Sequence, residues 1–235
     1  MSQRYVGGEL ELFAEATHWK SYFGGVLRPF VGGRVLEVGA GIGSNIPFLC
    51  NERIRCWTSL EPDPALARRI DAQIAAGSLP LRCHVVAGTI ASIAPGARFD
   101  TILYIDVLEH IADDVAELAG ARRHLAPEGH LIVLAPAHGF LFSRFDAAIG
   151  HHRRYDRASL ARLAPPGCRL IASPMLDSAG FFASLANRLL LAAAMPSPRQ
   201  IAVWDKWLVP LSRHLDAALG HRFGKTVVAV WRAAD

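Results

Sequence analysis

A carboxylate and a glycine-rich loop form the first candidate site in the chain. Glu37 lies in a short apolar run over 34–38 and precedes three glycines at alternate positions, Gly39, Gly41 and Gly43. Glycine permits a tight turn and lets backbone N–H groups approach a ligand, and a strand that leads through such a loop into a helix binds nucleotides. A carboxylate at the strand end repels a pyrophosphate but attracts an ammonium group. The pattern therefore favours a nucleotide that carries an amino acid.

The loop departs from the dinucleotide-binding pattern G-x-G-x-x-G, because Ser44 stands where the third glycine is expected. Its form, E-x-G-x-G-x-G, resembles the first motif of class I S-adenosylmethionine-dependent methyltransferases. In that family the acid holds the methionine part of the cofactor, and the loop passes beneath methionine and ribose. The resemblance implies S-adenosyl-L-methionine as cofactor, held by Glu37, Gly39, Ala40, Gly41 and Gly43. An ordinary glycine turn in an α/β protein is the alternative.

A second acid, Glu61, follows the predicted second strand over 55–60 and lies 18 residues after Gly43. An acid about 20 residues beyond the loop, at a strand end, is placed to accept hydrogen bonds from ribose hydroxyls. Pro62 restricts the backbone of Glu61 to extended conformations and keeps the carboxylate at the strand tip. We therefore predict that Glu61 and Pro62 contact the cofactor. Plain helix capping by an acid such as Asp63 is the alternative.

The corner after the third predicted strand, over 81–87, reads Gly88-Thr89-Ile90. In the resembling family this corner covers the adenine ring, often with an acid that reaches its amino group. Gly-Thr replaces the acid here, so we expect adenine contacts through the backbone and Ile90.

The segment Asp106-Val107-Leu108-Glu109-His110 follows the fourth predicted strand and resembles a motif of small-molecule methyltransferases. In those proteins the first residues after the strand lie beside the methionine and the reactive methyl. Asp106 and Val107 are thus expected to contact cofactor or substrate. His110 is the candidate general base, because a neutral imidazole can take a hydroxyl proton. The alternative is that Glu109 and His110 only cap and order this turn.

Asp106, Glu109 and His110 also stand at positions i, i+3 and i+4, which share one face of a helix. A related motif binds a divalent metal in methyltransferases of RNA 3′ ends and of quinone precursors. His151 or His152 would then supply a further ligand. The same letters occur in metal-free relatives, so the sequence assigns no metal ligand.

The stretch 136–159 is too long and aromatic for a simple connector, and it follows a strand end where ligands gather in open α/β sheets. We interpret it as the substrate loop, with His152, Arg153 and Tyr155 near the acceptor and His152 and Tyr155 as catalytic candidates. Arginine there favours a carboxylate or phosphate on the acceptor. A basic surface loop anchored by phenylalanines is the alternative.

Alternating strands and helices predict an α/β fold, a parallel sheet wrapped by helices on both faces. The resemblance implies a Rossmann-like seven-stranded sheet in the order 3-2-1-4-5-7-6, with the last strand antiparallel. We expect one domain over 1–235. A lid helix over about 9–27 would place Trp19 at the cofactor, and a helical insertion covers about 177–221. The insertion's amphipathic helices suit a roof over the pocket, a dimer face or a membrane contact.

The formal charge of +4 over 235 residues allows an anionic partner without requiring one. No apolar run reaches the length of a spanning helix, and four dispersed cysteines suggest free thiols and a cytoplasmic protein. We predict methyl transfer to an oxygen of a small-molecule acceptor by a monomer or homodimer, and the aromatic residues of the loop and insertion favour an apolar or lipid-linked acceptor. Nucleic acid is a disfavoured partner. The alternatives are an RNA methyltransferase with a metal-assisted site, a catalytically silent cofactor-binding protein, and a nicotinamide dehydrogenase.

Overall fold

The computed structural model describes residues 9–80, 82–186, 188 and 195–234. Leu81, the predicted start of the third strand, and residues 187 and 189–194 of the predicted insertion lie outside the described residues, as does the start of the predicted domain over 1–8.

Eight strands form one sheet, and their bounds are β1 Gly33–Val38, β2 Ile54–Glu61, β3 Cys83–Ala87, β4 Phe99–Ile105, β5 Leu125–Pro136, β6 Cys168–Ala172, β7 Met175–Leu176 and β8 Thr226–Ala233. The order along the sheet is β3-β2-β1-β4-β5-β8-β6, and β7 also pairs with β8. Strands β1 to β5 run parallel, whereas β8 is antiparallel to β5. The predicted order and the antiparallel last strand are confirmed, with the two-residue β7 as an addition.

The helices of the first half are α1 Glu9–Ala14, α2 Thr17–Leu27, α3 Ile46–Leu49, α4 Pro64–Ala75 and α5 Asp114–Arg122. Those of the second half are α6 Arg144–Ala148, α7 Arg157–Arg162, α8 Ser178–Ala186, α9 Pro198–Val203 and α10 Val209–Ala218, with a π-helical turn over Trp204–Leu208 that joins α9 to α10. The predicted lid helix over 9–27 is two helices, and α2 continues through Gly24 and Gly25. No described helix has the length and apolar character needed to cross a membrane.

Side chains of the central strands alternate between two apolar clusters, one on each face of the sheet. On β4, Leu103 and Ile105 join the cluster that holds Trp19 and Trp204, whereas Tyr104 joins the opposite one with α5 and α7. Residues along a strand point alternately to opposite faces, so a sheet buried on both sides needs apolar residues at every position. Helices therefore cover both faces, as predicted.

Buried acids fix the helical insertion to the first helices of the chain. Asp205 accepts hydrogen bonds from the backbone N–H of His18 and Trp19 at 3.1 and 2.8 Å, and thus caps α2 from a distant part of the sequence. Asp216 accepts from the hydroxyl of Tyr22 at 2.7 Å. The insertion and the lid thereby form a single roof above the sheet, which is one of the three roles that the sequence left open.

Candidate functional site

A cavity of about 1440 Å³ lies between this roof and the carboxyl ends of the central strands. Gly39, Glu61 and Asp106 mark the ends of β1, β2 and β4 on its wall, and Trp204 belongs to the roof. Pockets for a single small ligand measure about 300–1,000 Å³. The cavity therefore has room for a cofactor and an acceptor together.

The glycine loop requires glycine for two reasons. Gly39 and Gly41 have φ values of +68° and +58°, a region that side chains disfavour. A Cβ on Gly39 would also lie 2.7 Å from Cγ2 of Val107. Both glycines line the cavity together with Ala40 and Val107. Gly43 also has a positive φ, +75°, but a Cβ there would meet Ile46 and other core side chains, so Gly43 shapes the turn and lies off the cavity wall.

Glu37 lies just beneath the loop and is 1% exposed. Its Oε1 accepts a hydrogen bond from the Asn45 side chain at 2.9 Å, whereas its Oε2 accepts no hydrogen bond of ordinary geometry, although the Trp57 indole N–H lies near the carboxylate. Burial raises the pKa of Glu37 to about 7. Asn45 precedes α3 without a side-chain cap to that helix and donates its amide to Glu37 instead. A buried carboxylate oxygen without such a hydrogen bond fits the ammonium group of an amino-acid ligand.

Glu61 reaches the cavity wall and is 4% exposed. Its Oε2 accepts from the N–H of Gly41 at 2.7 Å, and its Oε1 accepts from the N–H of Asp63 at 2.8 Å. Burial raises the pKa of Glu61 above its usual value, although these backbone hydrogen bonds oppose the rise. Each carboxylate oxygen keeps a second lone pair, so ribose hydroxyls can still be accepted. Asp63 caps α4 through Ala65 at 2.7 Å.

The predicted adenine corner also lines the cavity, through Pro62, Gly88, Thr89 and Ile90. A Cβ on Gly88 would lie 2.4 Å from Oγ of Ser92, which leaves room for glycine only. Thr89 and Ser92 cap the short turn reciprocally, and this holds the corner in shape.

Two groups from α2 complete the cofactor side of the cavity. Trp19 is 7% exposed and packs edge-on against Phe23. Lys20 is 5% exposed, and its Nζ donates to the carbonyls of Phe13 and Ala14 at 2.6 and 3.0 Å. Burial lowers the pKa of Lys20 to about 8. A nearly buried cation on the cavity wall is suited to an anionic group of a ligand.

Asp106 faces the cavity in a left-handed conformation, with φ +52°. Desolvation by burial raises the pKa of Asp106 to about 6, and electrostatic interactions with His151 and Lys225 oppose this rise. A non-glycine residue held at positive φ is common at functional sites. The strained turn directs this carboxyl toward the space beside the glycine loop.

Glu109, His110 and His151 form a cluster on the acceptor side, with one potential ligand atom from each within 4.8 Å of the others. Glu109 is fully buried, and neither of its oxygens has a hydrogen-bond partner. His151 Nε2 lies 3.7 Å from Oε1 of Glu109. Burial lowers the pKa of His110 to about 4, so its imidazole is neutral at pH 7. Two histidine side chains beside an unpartnered carboxyl group, whose pKa burial raises, offer ligand atoms for a divalent cation such as Zn²⁺ or Mn²⁺.

Asp146 orients this cluster from behind. It is fully buried, and its carboxylate bonds His151 Nδ1 at 2.9 Å and the guanidinium of Arg154 at 2.8 and 3.0 Å. Burial alone would raise the pKa of Asp146, but the hydrogen bonds from His151 and Arg154 lower it. The carboxylate leaves Nε2 of His151 facing Glu109, which is the arrangement usual behind a metal-binding histidine.

Two residues expected near the acceptor lie elsewhere. Tyr155 is 3% exposed, and its hydroxyl is bound to Oδ2 of Asp114 at 2.8 Å and to the carbonyl of Leu108 at 3.3 Å. Arg153 pairs with the same Asp114 at 2.6 Å. Neither lines the cavity, because the loop turns both side chains toward Asp114 at the start of α5, so the structure does not bring Tyr155 and Arg153 to the predicted acceptor position. His152 does line the cavity.

Sequence reasoning missed Asp146 and Lys225. Lys225 lines the cavity, lies 3.2 Å from Asp177 and stands 3.9 Å above the ring of Trp204. It directly precedes the last strand, and no motif marks it. The only signal for Asp146 is its place in the loop 136–159 among histidines and arginines.

Comparison with known proteins gives a consistent picture. The family model described as a methyltransferase domain matches residues 10–173. A ubiquinone biosynthesis O-methyltransferase of Azorhizobium caulinodans is 34% identical over 109 residues, which are 46% of this chain and 42% of that protein. Its counterpart in Bartonella bacilliformis is 29% identical over the same shares. The matches therefore span less than half the length of these relatives.

Similar solved structures support the fold. The N-methyltransferase NodS from Bradyrhizobium japonicum, in complex with S-adenosyl-L-homocysteine, has a TM-score of 0.55 at 12% identity, with 93% of this chain and 86% of that chain covered. An S-adenosylmethionine-dependent methyltransferase from Clostridium acetobutylicum has a TM-score of 0.59 at 9% identity, with 94% and 93% covered. The [4+2]-cyclase SpnF has a TM-score of 0.62 at 17% identity, with 92% and 80% covered. The fold by itself thus does not fix the reaction.

Proposed function

The chain belongs to the class I S-adenosylmethionine-dependent methyltransferases, and from this premise we propose that it methylates a hydroxyl oxygen of a small apolar acceptor. The observation that carries the oxygen assignment is the cluster of Glu109, His110 and His151, which faces the cavity beside Asp106. A neutral amine attacks through its own lone pair without a metal, whereas a hydroxyl benefits from groups that remove its proton and stabilise its anion.

The proposed cofactor contacts use polar groups that still have hydrogen-bonding capacity in the free protein. Oε2 of Glu37 accepts from the ammonium group, and Lys20 attracts the carboxylate of the methionine part. The second lone pairs of Glu61 accept from the ribose hydroxyls. Further contacts come from residues that surround the same space, namely Trp19, Gly39, Ala40, Gly41, Pro62, Gly88, Thr89, Ile90, Asp106 and Val107.

On the acceptor side, the sulfonium is already activated, so the protein aligns the nucleophile and removes its proton. A base with a pKa of about 4 takes a hydroxyl proton poorly at pH 7, so we assign His110 to ligation and proton removal to His152. Glu109, His110 and His151 would hold a divalent cation, which supplies a Lewis acid that favours the acceptor anion. Asp146 keeps His151 in the required orientation.

Apolar side chains on the cavity wall favour an apolar acceptor. Phe13, Leu141, Phe145 and Trp204 line it together with Leu208. The names of the curated relatives point to a hydroxylated aromatic precursor of a lipid-linked quinone as the class of acceptor. An RNA acceptor is less well supported, since Arg153 and Arg154 of the loop over 136–159 are paired with the buried acids Asp114 and Asp146. The free thiols at all four cysteines agree with a cytoplasmic location.

The experiment is an assay with S-adenosylmethionine and a panel of phenols and catechols, each with and without an isoprenoid tail. We expect S-adenosylhomocysteine and the matching methyl ether by mass spectrometry, with higher kcat/KM for tailed acceptors. Methylation of amines only would contradict the oxygen assignment. Cofactor binding without product from any acceptor class would indicate a silent cofactor-binding protein.

The cation is tested separately by Mn²⁺ binding in electron paramagnetic resonance and by metal content after dialysis. Wild type should bind one ion per chain, and Glu109→Gln should bind at least about tenfold more weakly, since it loses a charged ligand. The control is Glu117→Gln, which also alters a glutamate on the cavity wall but lies outside the cluster. Equal Mn²⁺ affinity in all three proteins would rule the site out.

A further inference from the structure

The outer surface of the roof carries a stripe of exposed apolar side chains at intervals of four residues. Val203, Trp207, Leu211, Leu215 and Leu219 are 55, 66, 48, 38 and 48% exposed. Residues four apart are neighbours on a helix surface, so each of these five side chains adjoins the next along the roof; we name them the roof stripe. Large contiguous apolar surfaces on a protein mark contact sites for proteins or membranes.

The opposite side of the same helices is firmly buried. Asp205, Ser212 and Asp216 are 6, 0 and 0% exposed and hydrogen-bond to α2 or α8. Val209 is 1% exposed in the core. The helices therefore cannot turn the roof stripe inward without breaking this polar network. The stripe remains available for an external partner.

Within the helices that carry the stripe the exposed charges are positive, and Glu15, between α1 and α2, is an exposed acid beside Lys206. In the described segment 195–222, Arg199, Lys206, Arg213 and Arg222 are exposed, whereas both acids of the segment, Asp205 and Asp216, are buried. Nζ of Lys206 stands 5.6 Å above the ring of Trp207. An isologous dimer across this face would bring like charges together, whereas anionic lipid headgroups complement them. Tryptophan and basic residues next to an apolar band are typical of helices that lie in a membrane interface.

The stripe also borders the cavity. Val203 belongs to both, and Arg199 lines the cavity as well. A second exposed apolar pair, Phe140 and Phe182, is linked through Phe181 by ring contacts of 6.1 and 5.4 Å. Val203 thus connects the stripe to the cavity, where an apolar acceptor would bind.

We propose that the roof stripe docks the protein onto an anionic membrane surface, with Trp207 and Leu211 inserted among the lipids and Lys206 and Arg213 at the headgroups. The proposal deepens the proposed function, since it places the cavity where a lipid-linked acceptor resides, and that last step rests on the proposed function. Docking itself depends only on the surface.

The test is flotation of the full chain with vesicles of phosphatidylcholine alone or with about one-third phosphatidylglycerol. We expect binding to the anionic vesicles, at least about tenfold weaker binding to phosphatidylcholine, and release by high salt. The double variant Trp207→Ser/Leu211→Ser and the charge variant Lys206→Glu/Arg213→Glu should each lose at least about tenfold in vesicle affinity. Val115→Ser, which removes an apolar side chain 61% exposed on α5, is the matched control and should bind as wild type.

S-adenosylhomocysteine affinity of the double variant verifies that it is folded, because neither Trp207 nor Leu211 lines the cavity. Wild-type flotation equal to the control without vesicles would overturn docking, as would full retention of binding in the double variant. A stable dimer in light scattering that the double variant converts to monomer would overturn it in favour of a contact between copies. Vesicle binding without any methyl transfer would refute the proposed function and leave docking intact.

Discussion

Replacing Glu37 by glutamine tests the cofactor site through two opposite effects, because it should weaken cofactor binding and stabilise the free protein. The substitution keeps the shape of the side chain and an oxygen for Asn45, but removes the negative charge at the unpartnered Oε2. A hydrogen bond to a charged group contributes about 1.5–3 kcal/mol. We therefore expect the Kd for S-adenosylhomocysteine to rise about 10- to 150-fold.

The free protein should respond in the other direction. Burial raises the pKa of Glu37 from 4.5 to about 7, so the folded chain keeps a proton between these pH values that the unfolded chain has lost. Stability contributed by this group therefore falls as pH rises through that window, and the ionised form costs about 3 kcal/mol at pH 8. Glutamine avoids this cost but brings an amide NH₂ that needs an acceptor. We expect the Tm of the free variant at pH 8 to rise by about 5 °C.

The same pKa gives wild type a pH-dependent affinity. Cofactor binding needs ionised Glu37, so protonation of this group should by itself lower the affinity for S-adenosylhomocysteine about tenfold between pH 8 and pH 6 in wild type. The Glu37→Gln variant should lose this fall and keep only the opposite change of about twofold that Lys20, with its pKa of about 8, gives over the same range. Isothermal titration calorimetry and thermal unfolding supply both readouts, with Glu128→Gln as the control, since that glutamate pairs with Arg232 on the protein surface. A lower Tm together with unchanged affinity would show that Glu37 serves the fold alone.

Three further substitutions separate local roles. Gly39→Ala should weaken S-adenosylhomocysteine binding at least about tenfold in calorimetry, because the new Cβ would clash with Val107 at a backbone position with positive φ. Equal affinity would mean that the loop can shift to accommodate the Cβ. Tyr22→Phe should lower the free energy of unfolding in urea by about 1.5–3 kcal/mol, since buried Asp216 loses a hydrogen-bond donor. A change below about 0.5 kcal/mol would show that this hydrogen bond of the roof does not stabilise the fold. Tyr155→Phe should keep kcat within about threefold of wild type while lowering Tm, since its hydroxyl lies away from the cavity; a loss of activity at unchanged Tm would restore its catalytic role.

Most of the fold could be predicted from local sequence patterns. The aliphatic strands and the glycines after β1 have a fixed period and a fixed conformational need, so their neighbours along the chain suffice to identify them. The two acids, Glu37 and Glu61, lie near the carboxyl ends of β1 and β2, which must meet at one edge of a parallel sheet. Their convergence at the glycine loop, with Glu61 on the cavity wall and Glu37 buried behind it, is a consequence of topology.

Contacts between distant, irregular segments could not be predicted from local sequence patterns. Asp205 caps α2 from 187 residues away, and His151 meets Glu109 through a loop without periodicity. In such a loop the backbone torsions decide which side chains face the cavity, and so His152 lines it while Tyr155 turns into the core. The break between α1 and α2 likewise depends on where the roof packs.

A crystal structure of the complex with S-adenosyl-L-homocysteine is the most direct test of the cofactor site. We predict the amino nitrogen about 3 Å from Oε2 of Glu37 and the ribose hydroxyls within hydrogen-bond distance of Glu61, with the sulfur directed toward Asp106 and the histidine cluster. A ligand whose amino group and ribose lie away from both carboxylates would contradict the proposed binding mode.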